Sequence, residues 1–325
     1  MQSIYWVFTH RCNQYCSHCY NHSRPGGPSI TFAEADAVLA NLPETGRLIL
    51  SGGEPLVEKK LLLHILRNAG QRFGRRTGLA LQTNGDLLDD AALDDLLDAG
   101  LQHISIASQD PYHVRRQGLR RRLTELLSSR GFRETDVGDP ATPKPETRTF
   151  SFWGATPDLW LAGLWARGRA LRSGTWKRDP DHNFCALWSG ALGFLDDGSS
   201  RQEVSIQLTA VYPCCPGTVE PLGDVSQKPL LEILARHRGD PMWEALNSGQ
   251  PWRMGEHAGV DPEFARQRIH ELGNVCLWCD EYFTKHRRQR TTRRSEATQP
   301  WPEGEHRRAR QTQPVLLTGA LALDD

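Results

Sequence analysis

The chain has 325 residues, 38% of them hydrophobic, and its 39 lysines and arginines balance 39 aspartates and glutamates. A chain of this length buries a sizeable core in one large domain or two smaller ones, so we expect a globular protein of two parts. The zero net charge gives no general attraction to nucleic acid or to an acidic membrane, and we predict neither partner. No run of eighteen apolar residues occurs, and the start MQSIYWVFTH lacks the features of a signal peptide, so we expect a cytoplasmic protein.

Strand and helix patterns alternate through the first half of the chain. Four β-rich runs lead into loops or turns: IYWVFTH, RLILSGGEP, GLALQTNG and HISIAS. Three helical patterns separate them: TFAEADAVLANL, which opens on the capping box of Thr31 and Glu34 and ends at Pro43, then LLLHILRNAG and LLDDAALDDLLDAG, each ending at a glycine. Such an order implies parallel strands joined by right-handed crossovers, so the four loops should share one rim at the carboxyl ends of the strands.

The eight cysteines fall into two groups. Cys12, Cys16 and Cys19 lie in CNQYCSHCY, directly after the first strand. In a reducing compartment such cysteines hold metal or do chemistry more often than they form disulfides. Three thiolates can hold three irons of a four-iron cluster and leave the fourth iron open to a small molecule, whereas structural zinc takes four protein ligands. The alternative is a zinc site completed by one of three nearby histidines, which are His10, His18 and His22.

Together these motifs resemble the radical S-adenosylmethionine (SAM) superfamily over roughly the first 150 residues. The resemblance implies that Cys12, Cys16 and Cys19 hold a [4Fe-4S] cluster that binds SAM, and that the ring of His18 stacks near adenine. It also implies further SAM contacts, to the methionine amino group from Gly52, Gly53 and Glu54, and to the ribose and carboxylate from Thr83, Asn84, Ser105 and Ser108.

The family resemblance implies a fold and an activity. The expected fold is α/β, a partial (β/α)6 barrel over residues 1–155, and the expected reaction is reductive cleavage of SAM to a 5'-deoxyadenosyl radical. GGEP or TNG alone would only indicate a turn, but their order along the strand and helix pattern favours the family.

The second half begins after a proline-rich polar passage, ETDVGDPATPKPETR, and TFSFWGATP is typical of one more strand. A tryptophan-rich tract follows. We interpret it as packing between two domains rather than as a surface that stacks on substrate. Its members are Trp153, Trp160, Trp165, Trp176 and Trp188.

The segment VYPCCPGTVEPLGDVSQKPLLEIL resembles the core of SPASM and twitch domains, the cysteine-rich extensions of many radical SAM enzymes. The resemblance implies a second, auxiliary [4Fe-4S] cluster in a domain of residues 156–283, because such a closed cluster takes four thiolates. Its expected ligands are Cys185, Cys214, Cys276 and Cys279. Residues 284–325 are arginine-rich and without period, and they predict a basic, disordered tail.

One cysteine, Cys215, is in excess. Neighbouring side chains diverge in an extended segment, so we take Cys214 as the ligand and Cys215 as the spare thiol. Cys215 is then either a small buried residue or a hydrogen-atom donor that returns hydrogen to a substrate radical. If both neighbours bind iron, Cys185 is the alternative donor.

The stretch SQDPYH after the fourth strand supplies two candidate catalytic residues, Asp110 and His113, which could orient or deprotonate a substrate hydroxyl. A simple turn capped by Asp110 is the alternative, and the arginines of RRQGLRRRL are typical of a solvated helix face.

The first strand starts within five residues of Met1, which favours a small molecule over a leader-bearing peptide. We therefore expect dehydrogenation or epimerisation of a sugar-like or aminocyclitol-like substrate, with flavodoxin or ferredoxin as electron donor. The alternatives are a maturase of ribosomal peptides and a non-enzymatic iron-sulfur protein for electron transfer or sensing.

Overall fold

A single mixed sheet runs through the structure, a computed structural model that describes residues 2–107, 112–114, 117–135, 147–154, 165–196 and 203–287. Within these residues the sheet has nine strands. They are β1 (Ser3–Thr9), β2 (Arg47–Gly52), β3 (Gly78–Thr83), β4 (His103–Ala107), β5 (Arg133–Glu134), β6 (Thr149–Trp153), β7 (Glu203–Gln207), β8 (Ala210–Tyr212) and β9 (Gly223–Asp224).

The strands lie in the order β5-β6-β4-β3-β2-β1-β7-β8-β9. Every pair from β5 to β7 is parallel, and only β7-β8 and β8-β9 are antiparallel. The predicted α/β fold with parallel pairing of the first four strands is therefore confirmed. Parallel pairing brings the carboxyl ends of β1 to β4 to one edge, as the crossover helices require.

Ten α-helices are present in the described residues. They are α1 (Phe32–Asn41), α2 (Lys59–Phe73), α3 (Asp90–Asp98), α4 (Leu119–Ser129), α5 (Gly168–Ser173), α6 (Phe184–Trp188), α7 (Leu230–Ala235), α8 (Pro241–Asn247), α9 (Pro262–Leu272) and α10 (Val275–Glu281). A π-helical segment, Tyr282–Arg287, continues α10, and 3-10 turns occupy Pro55–Glu58, Gly74–Arg76, Leu192–Leu195, Pro251–Arg253 and Glu256–Ala258.

The capping box at the start of α1 is present, with Thr31 and Glu34 bonded to each other's backbone N–H. The end predicted for α2 at Gly70 is wrong, because the helix continues to Phe73 and stops at Gly74, whose φ is +62°. A glycine inside a helix costs only about 1 kcal/mol. The buried side chain of Phe73, 5% exposed, offsets that cost by packing against the core.

The two faces of β1 differ in character. Ile4, Trp6 and Phe8 are fully buried in the apolar core, and the Trp6 indole donates a hydrogen bond to the Leu208 carbonyl at 2.8 Å. The opposite face carries Tyr5, whose hydroxyl reaches side chains of β2 and β3. The period of two along a strand thus separates a hydrophobic core from a polar face.

Residues Met1–Arg288 form one compact unit. The division at residue 155 stays a prediction. In the part of the chain that the structure describes, no helix has the length and apolar character that a membrane span requires.

Helix α5 is anchored on the cysteine loop. The Arg169 N–H donates to the Cys19 carbonyl at 2.8 Å. A Cβ on Gly168, whose φ is +56°, would lie 2.1 Å from the Tyr20 carbonyl oxygen. This close approach requires glycine for both its conformation and its missing side chain.

We therefore expect Gly168→Ala to destabilise the protein by about 2 to 5 kcal/mol, from the strained φ and the clash together. Gly131→Ala is the matched control, because its φ of +78° is similar but the added Cβ meets open space. Only the strain of about 1 to 2 kcal/mol applies there. Thermal unfolding of anaerobic protein measures both, and equal losses would contradict the close approach at Gly168.

Candidate metal and cofactor site

A pocket lies at the carboxyl ends of β1 to β4 and encloses about 620 Å³ of empty space, part of it open to solvent. It brings together half of the site residues expected from the sequence. The expected residues that line it are Cys12, Cys16, His18, Cys19, Gly52, Gly53, Thr83, Asn84 and His113. The loops after the first four strands therefore do share one rim.

The cysteine loop is closed by its own backbone. Cys12 N–H donates to the Arg24 carbonyl at 3.1 Å, and Arg24 N–H donates back to the His10 carbonyl at 3.0 Å. Cys12 is 9% exposed, and burial, more than any neighbour, raises the pKa of its thiol to about 12. The thiolate form therefore needs a compensating positive charge, which iron bound here would supply.

The glycine turn after β2 lies directly against this loop. Gly53 N–H donates to the Thr9 carbonyl and Glu54 N–H to the Arg11 carbonyl, both at 2.8 Å. A Cβ on Gly53 would lie 2.4 Å from the Arg11 oxygen, and one on Gly52 would lie 2.7 Å from the Thr9 oxygen. The two glycines therefore let this turn pack closely against the cysteine loop. Both also line the pocket beside the three thiols, so the residues present fit a cluster with a small molecule beside it.

Glu54 does not line the pocket, in contrast to the expectation that its carboxylate faces SAM. Its side chain is fully buried and accepts hydrogen bonds from the Thr83 hydroxyl at 2.7 Å, Asn84 N–H at 2.7 Å and Leu56 N–H at 3.0 Å. Burial raises its pKa from 4.5 to about 7, although the three donors oppose the shift. Glu54 thus ties the turn after β2 to the turn after β3.

The remaining predicted residues divide between the pocket and its surroundings. His18 is 2% exposed, and its ring centroid lies 4.5 Å from that of His113. Ser105 is not part of the pocket lining, and its hydroxyl lies 3.0 Å from Nε2 of His103. Asp110 and Ser108 lie outside the described residues.

Sequence reasoning missed seven polar residues of the lining, and three of them stand on strands: Tyr5, Ser51 and Gln82. The other four belong to the cysteine loop: Gln14, Tyr20, Asn21 and Ser23. The Tyr5 hydroxyl donates to Gln82 Oε1 at 2.6 Å and lies 2.8 Å from Ser51 Oγ. The available signal was that Tyr5 alternates with the apolar Ile4 and Trp6, while Ser51 and Gln82 each interrupt an apolar strand near its end. These side chains present hydroxyl and amide groups beside the cysteine loop.

The later cysteines, apart from Cys215, come together elsewhere. Cys185 lies in α6, Cys214 follows β8, and Cys276 and Cys279 lie one turn apart in α10. Ser189 joins the first two, because it forms a β-bridge with Cys214 and its hydroxyl donates to the Cys185 carbonyl at 2.6 Å. Burial raises the pKa of Cys185 well above its ordinary value, and the neighbouring thiols of Cys214, Cys276 and Cys279 raise it further.

These four thiols therefore lie within electrostatic reach of one another, and we name them the second cysteine site. Among the residues that the structure describes, no three or more His, Cys, Asp or Glu side chains are arranged to hold a single metal ion. A four-iron cluster differs from such an ion because each of its thiolates binds a different iron.

The neighbours of Cys215 differ from those of Cys214. Its thiol lies 3.6 Å from the Tyr20 hydroxyl, and Gln207 Nε2 donates to its carbonyl at 3.1 Å. Burial is the main cause that raises the pKa of this thiol to about 12. Cys215 does not line the pocket itself, but Tyr20 does.

Comparison with known proteins identifies the front part of the chain. Residues 6–127 match the Radical SAM superfamily. The chain is 34% identical over 110 residues to an AdoMet-dependent heme synthase of Methanosarcina barkeri, a match covering 32% of this chain and 30% of that protein. It is 34% identical over 106 residues to a PqqA peptide cyclase of Granulibacter bethesdensis, covering 31% and 27% respectively.

The chain thus matches less than a third of the length of these relatives, and residues 6–127 form a radical SAM domain. Among solved structures, BtrN in complex with AdoMet and 2-DOIA has a TM-score of 0.49 and 16% identity, covering 81% of this chain and 90% of that chain. Native anSMEcpe with bound AdoMet has a TM-score of 0.46 and 14% identity, covering 91% and 100%.

Glu54 gives a test of this site through its pKa. Because the folded protein holds the proton up to about pH 7 while the unfolded chain loses it near pH 4.5, Glu54 favours folding at low pH and loses that effect as the pH rises through this window. The stability advantage of the wild type over Glu54→Gln should therefore shrink with rising pH, by on the order of 3 kcal/mol.

Melting temperatures of both proteins across this pH range measure the difference. Glu125→Gln, at a side chain that is 72% exposed, is the control and should leave the melting temperature unchanged at each pH. A constant difference between wild type and Glu54→Gln would show that Glu54 does not carry a raised pKa.

Proposed function

We propose that the protein is a radical SAM enzyme that removes hydrogen from a small, hydroxyl-bearing substrate of sugar or aminocyclitol type, leading to dehydrogenation or epimerisation. The observation that carries this is the pocket, where three thiols of one loop meet the Gly52–Gly53 turn and the Thr83–Asn84 turn. We infer a partial (β/α)6 barrel around it and a SPASM or twitch-type region behind it, in a cytoplasmic protein whose thiols stay reduced.

In this proposal Cys12, Cys16 and Cys19 hold a [4Fe-4S] cluster and leave one iron for SAM. Reduced by flavodoxin or ferredoxin, such a cluster would supply reductive cleavage of SAM to a 5'-deoxyadenosyl radical, the species that would abstract hydrogen. The peptide groups of Gly52 and Gly53 receive the methionine end, and Thr83 and Asn84 supply further polar contacts. Glu54 fixes both turns from behind, because it is bonded to Thr83 and Asn84.

The lining of the pocket supports a hydroxyl-bearing substrate. Tyr5, Ser51 and Gln82 present hydroxyl and amide groups, which both donate and accept hydrogen bonds as sugar hydroxyls do. His113 lines the same pocket, and in this proposal it accepts the proton of a substrate hydroxyl. Asp110, the other proposed catalytic residue, lies outside the described residues.

The second cysteine site supports an auxiliary [4Fe-4S] cluster. Its donor set is four thiols, and the buried Arg167 beside them carries a compensating positive charge. A cluster there would supply a one-electron acceptor or donor.

Cys215 is the proposed hydrogen donor. Tyr20 lines the pocket and its hydroxyl lies 3.6 Å from the Cys215 thiol. In this proposal a substrate carbon radical takes a hydrogen atom from the Tyr20 hydroxyl, which takes one in turn from the thiol. The sulfur radical left behind regains the thiol by taking one electron from flavodoxin or ferredoxin and one proton from solvent. This sequence gives epimerisation when hydrogen returns to the same carbon on the face opposite to the one from which it was abstracted.

The neighbouring cysteines offer a matched test of the second cluster. In protein with Cys12, Cys16 and Cys19 changed to alanine, about four irons per chain should remain after anaerobic reconstitution. Adding Cys214→Ala should remove most of this iron, whereas adding Cys215→Ala should leave it. Iron and sulfide content with electron paramagnetic resonance measure the outcome.

If no iron remains before either addition, the second cysteine site does not hold a cluster. If Cys215→Ala removes iron and Cys214→Ala does not, the ligand and the spare thiol are exchanged.

The substrate class is tested by the formation of 5'-deoxyadenosine from SAM and dithionite. We expect deuterated polyols and aminocyclitols to raise this formation at least tenfold and to transfer deuterium into 5'-deoxyadenosine. Short peptides are the second arm, because the match to PqqA peptide cyclase favours peptide modification as the second candidate.

Deuterium transfer from peptides alone would replace the first candidate with the second. No 5'-deoxyadenosine under any condition would instead favour an electron-transfer or sensing protein.

A further inference from the structure

Arg167 is a nearly buried cation at the second cysteine site, and its side chain is 11% exposed. Its Nη1 donates to the Cys276 carbonyl at 2.9 Å and to Asp280 Oδ2 at 2.5 Å. Its Nε donates to the Gly217 carbonyl at 3.4 Å, in the turn where Gly217 N–H bonds the Cys214 carbonyl. One guanidinium thus joins the segments that carry Cys214 and Cys276.

The surroundings of Arg167 are dominated by thiols. Burial alone would lower its pKa, but the thiols of Cys276, Cys279 and Cys214, with the carboxylate of Asp280, outweigh burial and raise the pKa above its ordinary value. Asp280 is the single carboxylate in direct contact with Arg167 among the described residues. One carboxylate and these three thiols therefore surround this cation.

The position of Arg167 is fixed from the other side by its neighbours in sequence. Two residues on, the Arg169 guanidinium donates to the Cys16 carbonyl at 2.6 Å and to the Ser23 carbonyl at 2.8 Å, and it lies 3.8 Å from the Tyr15 ring centroid. Gly168 between them packs on the Tyr20 carbonyl. The backbone that carries Arg167 therefore cannot move away from the cysteines without breaking these contacts.

We propose that Arg167 is a positioning residue whose fixed charge makes a cluster bound at the second cysteine site easier to reduce. The proposal rests on the proposed function, because it needs the cluster. A cluster with four thiolates becomes more negative on reduction, and a cation in a site of low dielectric stabilises that state. Reduction potentials respond to net charge and solvent exposure around the cluster, which are the two properties that Arg167 changes here.

The test uses the full chain with Cys12, Cys16 and Cys19 changed to alanine and reconstituted anaerobically. Only a cluster at the second cysteine site then gives a signal. A potentiometric titration followed by electron paramagnetic resonance gives the reduced fraction. We expect Arg167→Gln to lower the ratio of reduced to oxidised cluster at least tenfold at a fixed solution potential, which is a shift of about 59 mV for one electron. Arg167→Lys keeps the charge and should stay close to the parent protein.

Asp280→Asn is the opposite variant, because it removes the negative charge beside the cluster and should raise the reduced fraction. If Arg167→Gln does not assemble a cluster, the reduced fraction measured in Asp280→Asn tests the proposal instead. Arg121→Gln, at a side chain that is 84% exposed, is the matched control and should change nothing.

The outcomes separate this inference from the proposed function. No iron in the parent protein overturns the second cluster and this inference with it. If iron is bound but the reduction potential of the cluster is unchanged in Arg167→Gln or Asp280→Asn, the inference alone is overturned. An equal shift in Arg167→Lys and Arg167→Gln also overturns it, because charge would then not be the cause.

Discussion

The cysteine loop is held by hydrogen bonds to its backbone carbonyls from two directions, and both cysteine sites depend on this attachment. From the turn after β2, Gly53 and Glu54 donate to the carbonyls of Thr9 and Arg11. From α5, Arg169 donates to the carbonyls of Cys16 and Cys19. Within the loop the Cys16 carbonyl also accepts a hydrogen bond from the Cys19 N–H at 3.3 Å. The donors from the turn and from α5 add to this pairing, and carbonyls left unpaired away from water would be costly.

The attachment from α5 also links the front and back parts of the compact unit. Trp165 supplies its apolar component, with its ring centroid 4.7 Å from Tyr20 and 5.9 Å from Phe184, next to Cys185. For Trp165, this position agrees with the interpretation of the tryptophan-rich tract as packing. Polar anchoring by Arg169 and apolar packing by Trp165 act on the same loop, so displacement of α5 would disturb it in both ways.

The sequence predicts well whatever depends on local patterns. The parallel order of β1 to β4 follows from apolar runs separated by capped helices, and the common rim of their loops follows from that order. The predicted end of α2 is wrong because tertiary packing of Phe73 outweighs the local preference of Gly70. Burial in the folded protein decides helix boundaries of this kind, and the local sequence does not show which side chains will be buried.

The residues that the sequence did not reveal act through contacts between distant segments. Arg167 and Arg169 stand in the tryptophan-rich tract, outside any recognised motif. Their importance comes from the carbonyls they contact, more than 100 residues away in either direction. Glu54 was recognised by its glycine neighbours, but its burial depends on the turn after β3. No spacing rule within one segment carries such information.

Two dipeptides connect the two cysteine sites. Tyr20 directly follows Cys19, and Cys215 directly follows Cys214, while the Tyr20 hydroxyl and the Cys215 thiol lie 3.6 Å apart. Cys214 forms a β-bridge with Ser189, whereas Cys215 lies in the turn that is closed by the hydrogen bond from the Gly217 N–H to the Cys214 carbonyl. Cys214 can therefore belong to one site while Cys215 contacts the other. The surplus cysteine is therefore the place where the two sites meet, and a change in the Tyr20–Cys215 contact should be transmitted to a thiol of each site through a single peptide unit.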